Sequence, residues 1–131
     1  MSATIAHGVD LLEVEGFARL FDGPGRPHLS RYFTDAELDA VGSDSRRWEK
    51  LAGRFAMKEA VLKALGTGWG DFIGFKDVEI FTSVLGAPSV TLHRKLVDIA
   101  AVAGIDRWLV SSSHSNGQVM ASVIGVGTYS P

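Results

Sequence analysis

The chain has 131 residues, 46% of them apolar and 21% charged, with a formal net charge of −2 and no cysteine. That length suits one domain spanning 1–131 with a respectable hydrophobic core. The composition excludes a disulfide framework and a thiolate zinc site, and its near-neutral balance gives no overall pull toward nucleic acid. No apolar run approaches the roughly 20 residues that a spanning helix needs. The opening "MSATIAHGVDLLEVE" lacks the basic segment and continuous apolar stretch of a secretory leader. The expectation is a cytoplasmic protein with no membrane or nucleic-acid partner. Charge is unevenly spread, however. Met1 to Ser45 carry eight acidic and three basic residues, whereas Arg46 to Lys63 carry six basic and two acidic. A local basic patch of this kind suits a small anionic ligand or an acidic protein partner.

In chain order, "TIAHGVDL" has strand composition. "LLEVEGFARLF" places Leu12, Phe17, Leu20 and Phe21 at loosely helical spacing, weakened by Gly16 at about 1 kcal/mol relative to alanine. "DGPGRP" is a loop. "FTDAELDAVG" predicts a short helix, capped by Thr34 with Glu37 at capping-box spacing and stopped by Gly42. The next helix opens near "SDSRRWEK" and runs to about Leu65, followed by the glycine-rich loop "GTGWGDFIG". "FKDVEIFTS" reads as a strand, returning through "VLGAPSVTL". "HRKLVDIAAVAG" is an amphipathic helix stopped by Gly104. "RWLVSSSHS" and "GQVMASVIGVG" form a hairpin turning at Asn116-Gly117. The order β-α-α-α-β-β-α-β-β predicts an α+β fold, a mainly antiparallel sheet with helices packed on one face.

The long helix carries the most information. At 100° per residue, Leu51, Phe55, Leu62 and Leu65 make an apolar stripe. Lys58 falls within it, Arg54 lies at one edge, and Glu59 lies at the other beside Lys63. Ala52 and Ala56 leave room on that side for something to approach. On periodicity alone, Glu59 and Lys63 are an ordinary i,i+4 pair worth a few tenths of a kcal/mol.

Four blocks, "GVDLLEVE", "FTDAELD", "LAGRFAMKEAVLKALGTG" and "VSSSHS", resemble in this order the holo-acyl-carrier-protein synthase type of 4′-phosphopantetheinyl transferase. The resemblance covers nearly the whole chain. It implies an Mg²⁺-dependent enzyme that moves the phosphopantetheine arm of coenzyme A onto a serine of an apo acyl carrier protein, releasing adenosine 3′,5′-bisphosphate. It also implies a homotrimer with coenzyme A bound between subunits. Matched motif by motif, Asp10 and Glu59 fall on the metal-binding carboxylates, Lys63 on the lysine near the reacting phosphate, and His114 on a residue lining the coenzyme site. Arg54, Lys58 and the Gly66-Thr67-Gly68 backbone are further candidates to meet coenzyme A phosphates.

The chemistry is consistent with these roles. Mg²⁺ takes one or two carboxylates together with phosphate oxygens and waters. A cation and nearby ammonium groups stabilise charge that builds on phosphoryl oxygens. The serine needs a base: Glu59, directly or through a water on the metal, is one candidate and Lys63 is another. Three positions depart from the family pattern. Glu15-Gly16 stand near a usually basic carrier-docking position, with Arg19 one turn later. The hairpin reads Gly86-Ala87-Pro88 where a cation often precedes the proline. Ser112 replaces a usually apolar residue. Competing readings are a non-catalytic relative that binds coenzyme A or a carrier protein, and a trimeric scaffold on the same fold.

Overall fold

The computed structural model describes residues 2–70 and 72–129. The elements are β1 (Ser2–Glu13), α1 (Val14–Arg19), α2 (Asp35–Val41), α3 (Arg47–Leu65), β2 (Val78–Thr82), β3 (Pro88–Leu92), α4 (Lys95–Val102), β4 (Arg107–Ser115) and β5 (Gln118–Tyr129). This is the order expected from the sequence, and the α+β class holds. The strands divide between two antiparallel sheets, β1-β5-β4 and β2-β3.

Local chemistry explains most of the boundaries. Asn116 and Gly117 both have positive φ, 51° and 76°, as a two-residue hairpin turn requires. They join β4 to β5 in register from Ser115 opposite Gln118 to Arg107 opposite Val126. Thr34 accepts from the Glu37 N–H while the Glu37 side chain accepts from the Thr34 N–H, so the capping box forms. Two boundaries differ from expectation. Leu12 belongs to β1, because β1 stays paired with β5 as far as Glu13 opposite Gln118 and only then turns into α1. Phe75–Asp77 form a 3₁₀ turn rather than the start of β2. Asp77 accepts from the Gly74 N–H at 2.8 Å and is clamped by two bonds from Arg94 at 2.7 Å, which pulls that segment out of the strand.

The sheet β1-β5-β4 has two unlike faces, set by its two-residue period. Gly8, Val119, Ala121 and Val123 point inward and are buried beneath α3. Ile5, Val9, Leu11, Leu109 and Met120 point to the other face and are 43–73% exposed. Helix α3 is buried over much of its circumference, with Leu51, Ala52, Ala56, Ala60 and Val61 fully covered. Each buried Leu or Val there contributes about 1.5–3 kcal/mol relative to exposure. The room left by Ala52 and Ala56 is thus taken up inside the protein's own core.

Candidate functional site

Strand β1 and helix α3 approach unusually closely at Gly8. A Cβ there would lie 1.9 Å from the Ala60 carbonyl oxygen and 2.9 Å from the Ala64 nitrogen, both backbone atoms. Two residues along the same strand face is Asp10, and beside Ala60 on the helix is Glu59. Glycine at position 8 therefore seats Asp10 against the Glu59–Lys63 turn. Gly8→Ala is expected to cost about 2–3 kcal/mol by overpacking and to lower the melting temperature by roughly 10 °C. A circular-dichroism melt matching the parent would show that strand and helix have slack to part.

The i,i+4 pair suggested by periodicity does not form among the described residues. Lys63 instead reaches across to β1, donating to Asp10 Oδ1 and to the Val9 carbonyl, each at 3.0 Å. Glu59 Oε1 accepts from the indole N–H of Trp69 at 2.9 Å. Asp10 keeps 16% of its side-chain exposure and Lys63 keeps 55%, so this end of α3 opens to solvent.

The donor set fits Mg²⁺. It consists of two carboxylates on separate rigid elements, with Asp10 already holding a cation, the Lys63 ammonium. Among the described residues no cluster of three or more His, Asp or Glu forms a preassembled cage. A hard ion that takes one or two carboxylates and completes its shell with substrate phosphate and water needs none.

A second group of polar residues lies toward the other end of α3. A cleft of about 620 Å³, lined among others by Arg46, Glu49, Arg54, Thr82, Ser112 and His114, opens between α3, the end of β4 and the β2–β3 hairpin. His114 Nδ1 lies 2.7 Å from Glu49 Oε1. Its Nε2 lies 3.4 Å from Arg46 Nη2, whose guanidinium also donates to Glu49 at 2.9 Å. Arg54 is 9% exposed and donates from Nη2 to Thr82 Oγ1 at 2.8 Å, while its buried Nε has no partner among the described residues. Burial holds its pKa below the ordinary guanidinium value, partly offset by the Glu37 charge. An under-satisfied buried cation facing a cleft is suited to an anionic group.

The sequence-derived candidates are therefore not all brought together. Asp10 and Lys63 meet in an ion pair at 3.0 Å, while Glu59, one turn back along α3, has no hydrogen bond to either among the described residues and is bonded to Trp69 instead. His114 sits on β4, with β5 between it and β1, at least two strand spacings or roughly 10 Å from Asp10. Three candidate residues need correction. Lys58 does not reach the surface: it is fully buried, paired with the equally buried Glu37 at 2.9 Å, and donates to the carbonyls of Phe75 and Val78. Its position four residues after Arg54 turns it toward α2 and β2 instead of solvent. Gly66 and Thr67 do not offer free N–H groups to a phosphate, because those groups donate to the carbonyls of Lys63 and Leu62 and close the helix end. Gly66, at φ 71°, supplies the left-handed cap this closure needs. Sequence reasoning missed Glu49 and Trp69. Glu49 had a weak signal in its spacing from Arg46; Trp69 had only its place as an aromatic inside a glycine-rich turn.

Two carboxylates and an ammonium at one end of a helix, and a cationic cleft toward the other, suit an enzyme acting on a phosphorylated substrate. The family model described as the 4′-phosphopantetheinyl transferase superfamily matches residues 6–121, and the chain belongs to that superfamily. Among its relatives is the holo-acyl-carrier-protein synthase of Desulforudis audaxviator (strain MP104C), 41% identical over 92% of this chain and 91% of the relative. That of Clostridium perfringens (strain 13 / Type A) is 40% identical over 95% and 96%. The crystal structure of holo-acyl-carrier-protein synthase from Neisseria meningitidis superposes with a TM-score of 0.80 at 30% identity, covering 92% of this chain and 96% of that one. The Helicobacter pylori synthase, solved in complex with coenzyme A, gives 0.77 at 27% identity over 91% and 98%.

Proposed function

We propose that this chain is one phosphopantetheinyl transferase domain that moves the 4′-phosphopantetheine arm from coenzyme A to a serine of an apo acyl carrier protein, with adenosine 3′,5′-bisphosphate as the second product. The observation that carries this reading is the Asp10–Lys63 ion pair formed where Gly8 lets β1 touch α3, with Glu59 one turn back on the same helix. Asp10 and Glu59 would hold Mg²⁺. When bound, the ion supplies charge neutralisation at the pyrophosphate. Lys63 adds an ammonium beside the same phosphate. Glu59 is better placed than Lys63 to take the serine proton. Lys63 already spends two N–H donors on Asp10 and Val9, whereas Glu59 keeps an oxygen with no donor among the described residues. Arg54, Arg46 and His114 would meet the distal phosphate of coenzyme A in the cleft. Incubating an apo carrier protein with coenzyme A and Mg²⁺ and weighing it by mass spectrometry tests the proposal. An unmodified carrier would leave only a binding or scaffold role.

A homotrimer belongs to the same reading. A single chain leaves His114 across the sheet from Asp10, and the outer face around Ile5, Val9, Leu11, Leu109 and Met120 lies open. Closed cyclic packing of that face would cover it without leaving a free edge. Light scattering should give about 42 kDa, three times the 14.0 kDa chain. A fully active monomer at the same concentration would rule out a shared site. The cytoplasmic setting rests on the family likeness and on a sequence without cysteine.

A further inference from the structure

The loop after α3 contains an aromatic side chain whose placement the proposed chemistry does not yet use. Helix α3 ends in the left-handed Gly66, and the chain then folds back so that Trp69 lies alongside the turn it has just left. Its indole N–H donates to Glu59 Oε1 at 2.9 Å. The ring is half-buried and packs on Phe75 with centroids 4.1 Å apart. Phe75 in turn stacks on Phe55 of α3 at 5.5 Å and lies against Tyr32 at 4.6 Å. The indole is thus held from one side by an aromatic cluster, while its polar edge is aimed at one carboxylate.

Indole nitrogen donates and never accepts. The bond therefore engages a lone pair on one Glu59 oxygen and leaves the other oxygen for a further partner. A glutamate side chain otherwise rotates freely about several bonds, and fixing one in place carries an entropic cost on binding. Holding a ligating carboxylate by an outer hydrogen bond meets that cost before the cation arrives.

We infer that Trp69 is a positioning residue that presents Glu59 Oε2 to the divalent cation, an inference that rests on the metal role proposed for Glu59. Trp69→Phe keeps the ring against Phe75 and removes only the donor. It should leave the melting temperature within about 2 °C and raise the Mg²⁺ concentration for half-maximal transfer about tenfold, the usual scale for losing such a partner. A readout independent of turnover comes from the indole N–H cross-peaks of the ¹⁵N-labelled parent. There are three tryptophans, and triple-resonance assignment of the parent identifies the peak of each. The Trp69 peak should move in Glu59→Ala and on titration of the parent with Mg²⁺ alone, while those of Trp48 and Trp108 stay. A Trp69 peak indifferent to both changes would overturn the inference, even if Trp69→Phe failed to fold. So would parent-like Mg²⁺ dependence in a folded Trp69→Phe. If the parent transfers nothing, the enzyme reading fails, and a Trp69 peak that still moves with both Glu59→Ala and Mg²⁺ supports the positioning role by itself.

Discussion

Glu59→Gln is expected to cut carrier-protein modification by about a hundredfold or more, the scale of a lost general base, with the melting temperature within about 2 °C of the parent. The substitution separates charge from shape. Glutamine keeps an acceptor oxygen for the Trp69 indole, so the contact at 2.9 Å survives. It loses the negative charge that would bind Mg²⁺ together with Asp10, and it loses the basicity needed to take a proton from serine. Both losses fall on the transition state, so kcat and kcat/KM should drop together. Initial rates at saturating Mg²⁺ within about threefold of the parent would remove Glu59 from the mechanism.

The largest effect on stability is expected from the buried pair that the structure places where the sequence suggested a coenzyme ligand. Glu37 accepts from Lys58 at 2.9 Å, from the Thr34 N–H at 2.8 Å and from the Ile80 N–H at 3.0 Å. Glu37→Ala removes the acceptor from all three donors and leaves Lys58, charged and fully buried, with only the Phe75 and Val78 carbonyls. Breaking such a pair from one side costs about 3–5 kcal/mol, or roughly 12–20 °C in melting temperature for a chain of this size. Pairing Glu37→Leu with Lys58→Met should recover much of that, because the unpaired charge disappears as well. The pH dependence has a definite sign. Burial holds Lys58 below its ordinary value, and Glu37 pulls it back up. Without Glu37 the value falls further. A lysine whose folded pKa lies below its unfolded one, about 10.4, binds fewer protons folded than unfolded between those two values. Stability there rises with pH. The deficit of Glu37→Ala should therefore shrink on going from neutral pH toward about pH 10. A denaturant series showing a constant or growing deficit would remove Lys58 ionisation as the cause.

Local patterns in the sequence determined much of this protein. The Thr34 cap, the Gly42 stop, the nineteen-residue helix ending at Leu65 and the Asn116-Gly117 turn each depend on residues within one or two turns of one another. Backbone geometry and short-range hydrogen bonds decide such features without help from the rest of the chain. The motif order also singled out Asp10, Glu59 and Lys63 as one group, of which Asp10 and Lys63 pair directly while Glu59 bonds Trp69.

Tertiary structure decided what the helix faces meet. A wheel places Lys58 and Arg54 on a surface but does not say whether solvent, α2 or β2 covers it. Lys58 went inward because Glu37 and two carbonyls, far off in sequence, were waiting there to satisfy its ammonium. The Gly66-Thr67 backbone is polar in any sequence reading, yet its N–H groups were already committed to closing α3. Trp69 reaches Glu59 only because the chain reverses at a left-handed glycine and a ring from beyond the loop holds the indole in place. Gly8 looks like a weak residue in a strand until Ala60 is laid across it. Each of these outcomes depends on contacts between segments distant in sequence, where burial leaves a polar or charged group no alternative to the partner it finds.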